Sequence, residues 1–153
     1  MSQERYVVRP ARREDAEAIA RFQVALAQES EGLRLKAQTV RRGVRHIFTH
    51  PERGRYLVAA DARGQVVGCL LVLKEWSDWR NREVWWIHSA YVAPAHRRRG
   101  VLRRLFARAA AMARRCRAAG LRLYVARDNR RARTVYRRLG LTAEHYALYE
   151  KMF

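Results

Sequence analysis

Residues 84–92, Val-Trp-Trp-Ile-His-Ser-Ala-Tyr-Val, form an aromatic and β-branched run that favours an extended strand. The residues after this run constrain the fold more than the run itself. Ala93-Pro94-Ala95 turns the chain, His96-Arg97-Arg98-Arg99-Gly100 makes a short basic loop, and a helical pattern starts at once. From Gly100 to about Ala118, Leu102, Leu105, Phe106, Ala109, Ala113 and Cys116 fall on one stripe, with Arg103, Arg104, Arg108, Arg114 and Arg115 elsewhere. Strand, glycine loop and helix in that order put unpaired amides and the positive end of a helix dipole at the loop. Arginines there add to the attraction for a phosphorylated ligand, and glycine lets a diphosphate approach the backbone.

The remaining chain alternates elements in the same manner. Tyr6 to Arg9 reads as a short strand ended by Pro10. Ala16, Ile19, Ala20, Val24 and Ala27 then recur at helical spacing until Glu31-Gly32. Thr39 to Phe48 is a second helix, with Thr39 as its expected N-cap. Tyr56 to Ala60 and Val66 to Lys74 are strands joined by the hairpin signal Asp61-Ala62-Arg63-Gly64. Beyond the central unit come a strand at Leu121 to Ala126, a helix at Arg130 to Leu139 stopped by Gly140, and two short strands within Ala143 to Met152. At 153 residues this is the length of one domain, 1–153, with a core large enough to need no staples.

Charge and cysteine content narrow the function classes. Formal net charge is +19, and because Lys36, Lys74 and Lys151 are the only lysines, 30 of the 33 basic residues are arginine. That excess admits nucleic acid, an anionic surface or a polyanionic small ligand, and does not choose among them. No helix-turn-helix, zinc-finger or aromatic RNA-binding motif accompanies it, so nucleic acid ranks low. Cys69 and Cys116 stand far apart without a histidine cluster, which argues against a metal and for buried free thiols in a reducing compartment. No apolar run approaches the ~20 residues of a membrane span, and Met1 to Pro10 lacks a signal-peptide core. The expectation is a cytoplasmic protein with no membrane partner.

A second motif lies downstream: Asp128-Asn129-Arg130-Arg131-Ala132-Arg133-Thr134-Val135-Tyr136-Arg137-Arg138-Leu139-Gly140-Leu141. With the basic glycine loop after a Val-x-Pro strand end, this Asn-x-x-Ala-x-x-x-Tyr-x-x-x-Gly-hydrophobic helix resembles the GNAT superfamily of acetyl-CoA-dependent N-acetyltransferases. The order of elements matches over nearly the whole chain. The resemblance implies an α/β (α+β) GNAT fold: a mixed, mainly antiparallel twisted sheet of six to seven strands, splayed between strands 4 and 5, with about four helices. It also implies acetyl-CoA as co-substrate and a possible homodimer. In the family pattern Arg/Gln-x-x-Gly-x-Gly/Ala, Arg97 and Gly100 hold the first and fourth positions, and Leu102 departs at the sixth.

By the same resemblance, the amides of Arg98, Arg99, Gly100, Val101, Leu102 and Arg103 would hold the diphosphate. The Tyr91 and Val92 backbone would pair with the pantetheine arm as an added strand. Asn129 and Ala132 would lie beside that arm, and Tyr136 at the thioester sulfur. A phenol with pKa near ~10 can protonate the departing thiolate. An attacking amine of pKa about 10.4 faces a deprotonation cost of roughly 4.6 kcal/mol at pH 7, so a base matters. His88 stands where relatives often carry an acidic or histidine base, acting directly or through water. Glu29 and Glu31, two acids in a basic chain, are candidates to attract a cationic amine, with Trp86 as a candidate pocket wall and Ser89, the neighbour of His88 on the opposite strand face, as a further substrate-side candidate. The reading is acetyl transfer to a primary amine of a small molecule. Acetylation of a protein N-terminus or lysine, a catalytically silent acyl-CoA-binding module, and an arginine-rich nucleic-acid-binding protein are the alternatives.

Overall fold

The structure, a computed structural model, describes residues 6–153. Met1 to Arg5, part of the segment read for a signal peptide, lie outside the described residues. The chain divides into two compact units, one ending at Leu123 and the other running from Tyr124 to Phe153. In the first, β1 (Val7–Pro10) is followed by α1 (Ala16–Glu31) and α2 (Ala37–Thr49). Then come β2 (Arg55–Ala60), β3 (Val66–Ser77), β4 (Arg82–Val92), α3 (Val101–Arg115) and β5 (Leu121–Arg122). The strands lie in the order β1-β2-β3-β4-β5, antiparallel except for the parallel pair β4–β5. The second unit holds α4 (Arg130–Arg138).

Period-two alternation sorts the strand side chains onto two cores. Leu57, Ala59, Leu70, Val72, Trp85 and Ile87 pack with Val101, Leu105, Ala109 and Ala113 of α3. Val58, Cys69 and Leu71 pack on the opposite face with Ile19 and Ala20 of α1 and Val44 of α2. Asp15, buried before α1, ties β1 to that layer. Arg9 donates to both of its carboxylate oxygens at 2.7 and 3.0 Å, and the Arg12 amide donates at 2.6 Å. Burial alone would push the Asp15 carboxyl up; hydrogen bonds from Arg9 and Arg12 outweigh it and hold the group below its ordinary 3.8.

Strand β4 breaks the alternation where the site begins. His88 faces Leu71 and Tyr91 faces Cys69, so Ser89 and Ala90 together span the single position of Leu70. Ser89 adopts φ +54°, the left-handed conformation that lets a bulge reverse the facing of later side chains. Trp85 and Ile87 therefore pack toward α3, whereas Tyr91, which simple alternation would place with them, packs toward α1 and α2.

Several sequence expectations need correction. Among the described residues the sheet has five strands, not six or seven. The strand expected over Leu121 to Ala126 is only Leu121–Arg122, because β4 offers it a ladder at Trp85 and Trp86 alone. Ala143 to Met152 forms no strand. Tyr146, Leu148, Tyr149 and Met152 are exposed there, and two short strands with nothing to bury them are marginal in water. Helix α2 starts at Ala37 after an extended Lys36, one turn before the expected Thr39 cap. Cys69 is buried, but Cys116 sits exposed at the end of α3.

Candidate active site

The bulge is held from behind. Gln23 of α1 donates from Nε2 to the Ser89 carbonyl at 3.3 Å and reaches the Cys69 sulfur at 3.4 Å. The Cys69 thiol also points at that carbonyl, at 3.8 Å, and burial pushes its pKa up to about 12, so it stays protonated as a donor. A left-handed non-glycine residue costs about 1–3 kcal/mol and persists only where its surroundings fix it. Gln23 and Cys69 supply that constraint, and sequence reasoning assigns neither of them to the site. One signal is available: Gln23 is an amide among the alanines and aliphatics of an otherwise apolar helix stripe.

Trp86 and His88, two residues apart before the bulge, share one face with ring centroids 6.0 Å apart. The Trp86 indole donates to Glu75 at 2.6 Å. His88 is half-buried, and burial lowers its pKa below the ordinary 6.5. It is therefore neutral at pH 7, with a ring nitrogen able to take a proton.

After β4 the chain makes a basic loop that can serve as an anion cradle. The Ala93 amide bonds the Val67 carbonyl at 2.8 Å, Pro94–His96 makes one 3-10 turn, and His96 shares a 2.9 Å hydrogen bond with the Tyr6 hydroxyl. Arg98 takes φ +64° and Gly100 φ +78°. Extended Arg97 followed by left-handed Arg98, with left-handed Gly100 just ahead of α3, makes a tight turn of the kind that can present backbone amides to an anion. The first amide to bond back into α3 is that of Arg104, to Gly100 at 3.0 Å, so the amides of Val101, Leu102 and Arg103 have no acceptor within the helix. No acidic residue stands in the first turn of α3. Leu102 is half-buried while Val101 takes the core position, and Arg98, Arg99 and Arg103 lie toward solvent.

Arg97 does something other than reach outward. Its Nε donates to the Val92 carbonyl at 2.8 Å, its Nη2 donates to Glu29 at 2.6 Å, and its guanidinium lies 5.2 Å from the Tyr91 ring centroid. Tyr91 in turn donates its hydroxyl to the other Glu29 oxygen at 2.8 Å. Burial and the Glu29 carboxylate raise the Tyr91 pKa. The structure thus brings Glu29 to Tyr91 and Arg97 and leaves Glu31, at the end of α1, exposed.

Beside the cradle, β4 keeps a free edge. Strand β5 pairs only with Trp85 and Trp86, and among the described residues no ladder continues on that side of residues 87–92. Its peptide groups, apart from the Ser89 carbonyl held by Gln23 and the Val92 carbonyl held by Arg97, can take an extended arm in the manner of an added strand. Gly68 lies across from Val92, where a Cβ would stand 3.0 Å from the Tyr91 carbonyl.

In the second unit, Asn129 caps α4: its Oδ1 accepts from the Ala132 amide at 3.0 Å. The Asn-x-x-Ala spacing is thus the spacing of a helix start. Ala132 and Tyr136 stand one turn apart on α4, and burial raises the Tyr136 pKa above 10. Arg130, Arg133, Thr134 and Arg137 line an open cavity of about 310 Å³. Among the described residues, no three His, Cys, Asp or Glu side chains gather as a metal site, and no helix is long and apolar enough to cross a membrane.

Similarity to known proteins identifies the family. Residues 18–141 match the model of the acetyltransferase (GNAT) family. A solved structure described as "a possible acetyltransferase from Clostridium difficile 630" is 33% identical, with TM-score 0.89 and 97% of each chain covered. The ribosomal-protein-alanine N-acetyltransferase from Brucella melitensis biovar Abortus 2308 shares the fold at 17% identity. Its TM-score is 0.80, over 97% of this chain and 100% of that one. No curated protein matches the sequence. The chain belongs to the GNAT acetyltransferase family, and it is an N-acetyltransferase.

Proposed function

We propose that this enzyme moves the acetyl group of acetyl-CoA directly to a primary amine of a small molecule. The observation that carries the reading is the cradle from Arg98 to Arg103, set at the end of a strand whose edge is free. A diphosphate fits the helix-unpaired amides of Val101, Leu102 and Arg103 and the positive dipole of α3, and a pantetheine arm fits the strand edge at Tyr91 and Val92, where it would share the Val92 carbonyl with Arg97. In the transfer, the amine nitrogen bonds the thioester carbon, the carbon–sulfur bond breaks, and the amine proton passes to His88 directly or through water. Tyr136 protonates the departing thiolate. Trp86 and Ser89, flanking His88, are the acceptor-side candidates, with Glu31 as an exposed carboxylate for a cationic amine.

Calorimetric titration with acetyl-CoA, followed by an amine panel monitored for thiol release, tests this reading. Micromolar binding and turnover on at least one amine are expected. Binding without turnover would make the protein a silent acyl-CoA module, and no binding would remove the reading.

Because a base must be unprotonated to act, and burial holds His88 below 6.5, kcat/KM should fall on the acid side with a midpoint under 6.5. Replacing His88 by Gln should abolish that limb and lower kcat by about 10²-fold. A profile that rises only toward the amine's own pKa, in both proteins, would exclude His88 as the base.

A further inference from the structure

We infer that Glu29, on the last turn of α1, is a positioning residue that sets the cofactor cradle in its binding conformation before acetyl-CoA arrives. The inference rests on the cradle's assignment to the diphosphate, and it places Glu29 on the cofactor side of the chemistry, away from the acceptor.

Two donors meet at one carboxylate. Tyr91, buried at the end of β4, donates to Oε1, and Arg97, at the start of the basic loop, donates to Oε2. Arg97 also grips the carbonyl of Val92, the last residue of β4, so strand end, loop start and helix α1 are cross-tied. Phe22 packs its ring 5.3 Å from that of Tyr91, which fixes the tyrosine against the same helix. An exposed pair of charges contributes little by itself. Here the carboxylate is shared, and one of its partners is buried, so the tie has a defined geometry.

The tie holds a strained loop. Arg98, immediately after the tethered residue, sits at φ +64°, where a non-glycine residue is unfavourable unless its neighbours dictate it. Arg97 fixes the loop at one end, and the Arg104 amide bonded to Gly100 fixes it at the other. Between those anchors the two left-handed residues, Arg98 and Gly100, are held in place. Order present before binding removes a cost of binding, so loosening Arg97 should weaken the cofactor without touching the chemistry. Both Glu29 oxygens are engaged, which also argues against a direct role in holding a substrate ammonium group.

Glu29→Gln keeps the shape of the side chain and removes the charge that holds Arg97. Amide hydrogen exchange in the ligand-free variant should speed up at residues 98–103 while β2 and β3 keep wild-type rates. Acetyl-CoA should bind about tenfold more weakly by calorimetry, the scale of one charge-assisted hydrogen bond. Tyr91→Phe, which removes only the tyrosine contact, should give the same pattern at smaller size. Adding Glu29→Gln to Arg97→Ala should weaken binding no further, because the carboxylate acts through the arginine. Unchanged exchange at 98–103, unchanged affinity, or full additivity with Arg97→Ala would each overturn the inference. If the wild-type protein binds no acetyl-CoA, the reading beneath falls, and the exchange result alone then judges the tether.

Discussion

Tyr136→Phe should lower kcat by about 10²- to 10³-fold while leaving the calorimetric affinity for acetyl-CoA within twofold of wild type. The substitution removes one hydroxyl and keeps the ring, so binding that depends on shape persists and proton donation does not. Thiolate is a charged leaving group, and protonating it as the bond breaks is where an acid gains most. The sign of the pKa shift favours this role. A proton donor must hold its proton at working pH, and burial raises Tyr136 above 10, so the donor form is complete at pH 7. Activity should be lost only as pH rises through that raised pKa, giving an alkaline limb above 10 that the phenylalanine variant lacks. Thiol release measured on an amine that the wild type accepts decides it, and an unchanged kcat would end the acid role.

Much of this site is legible in the sequence, for physical reasons. The unit from Val84 through Gly100 into α3 depends on local patterns: aromatic and β-branched residues for the strand, proline and glycine for the turn, and an apolar stripe for the helix. Glycine at position 100 signals a left-handed residue, and φ +78° is found there. The bulge is not legible, because it is a property of two strands: only the register against Leu70 shows that Ser89 and Ala90 share one place. Strict alternation would put Tyr91 on the face of Trp85, and the tie to Glu29 would then be impossible.

Glu29 and Arg97 are 68 positions apart, and no spacing rule connects them. Sequence reasoning therefore places the two on opposite sides of the reaction. The C-terminal segment departs from its pattern in another way. Its alternation of Tyr146, Leu148, Glu150 and Met152 resembles a strand, yet alternation only prepares a chain for a ladder and does not supply the partner.

Gly100→Val should weaken acetyl-CoA by about 10²-fold, the largest loss expected from any single change in the loop. The reason is conformational. A Cβ built on Gly100 meets only the end of the Arg103 side chain, at 3.8 Å, so there is room for a side chain. What valine cannot meet is φ +78°: a β-branched residue there is a genuine outlier, and the left-handed region costs L-residues roughly 1–2 kcal/mol. The chain would relax by turning the peptide between residues 99 and 100, which shifts the loop against the start of α3 and its helix-unpaired amides. Asparagine tolerates the left-handed region, so Gly100→Asn separates conformation from contact and should bind within about fivefold of wild type. Equal losses in both variants would mean that the diphosphate touches the backbone so closely that any Cβ excludes it. Full affinity in the valine variant would show that the cofactor is held elsewhere and that the basic loop is only the solvated cap of α3.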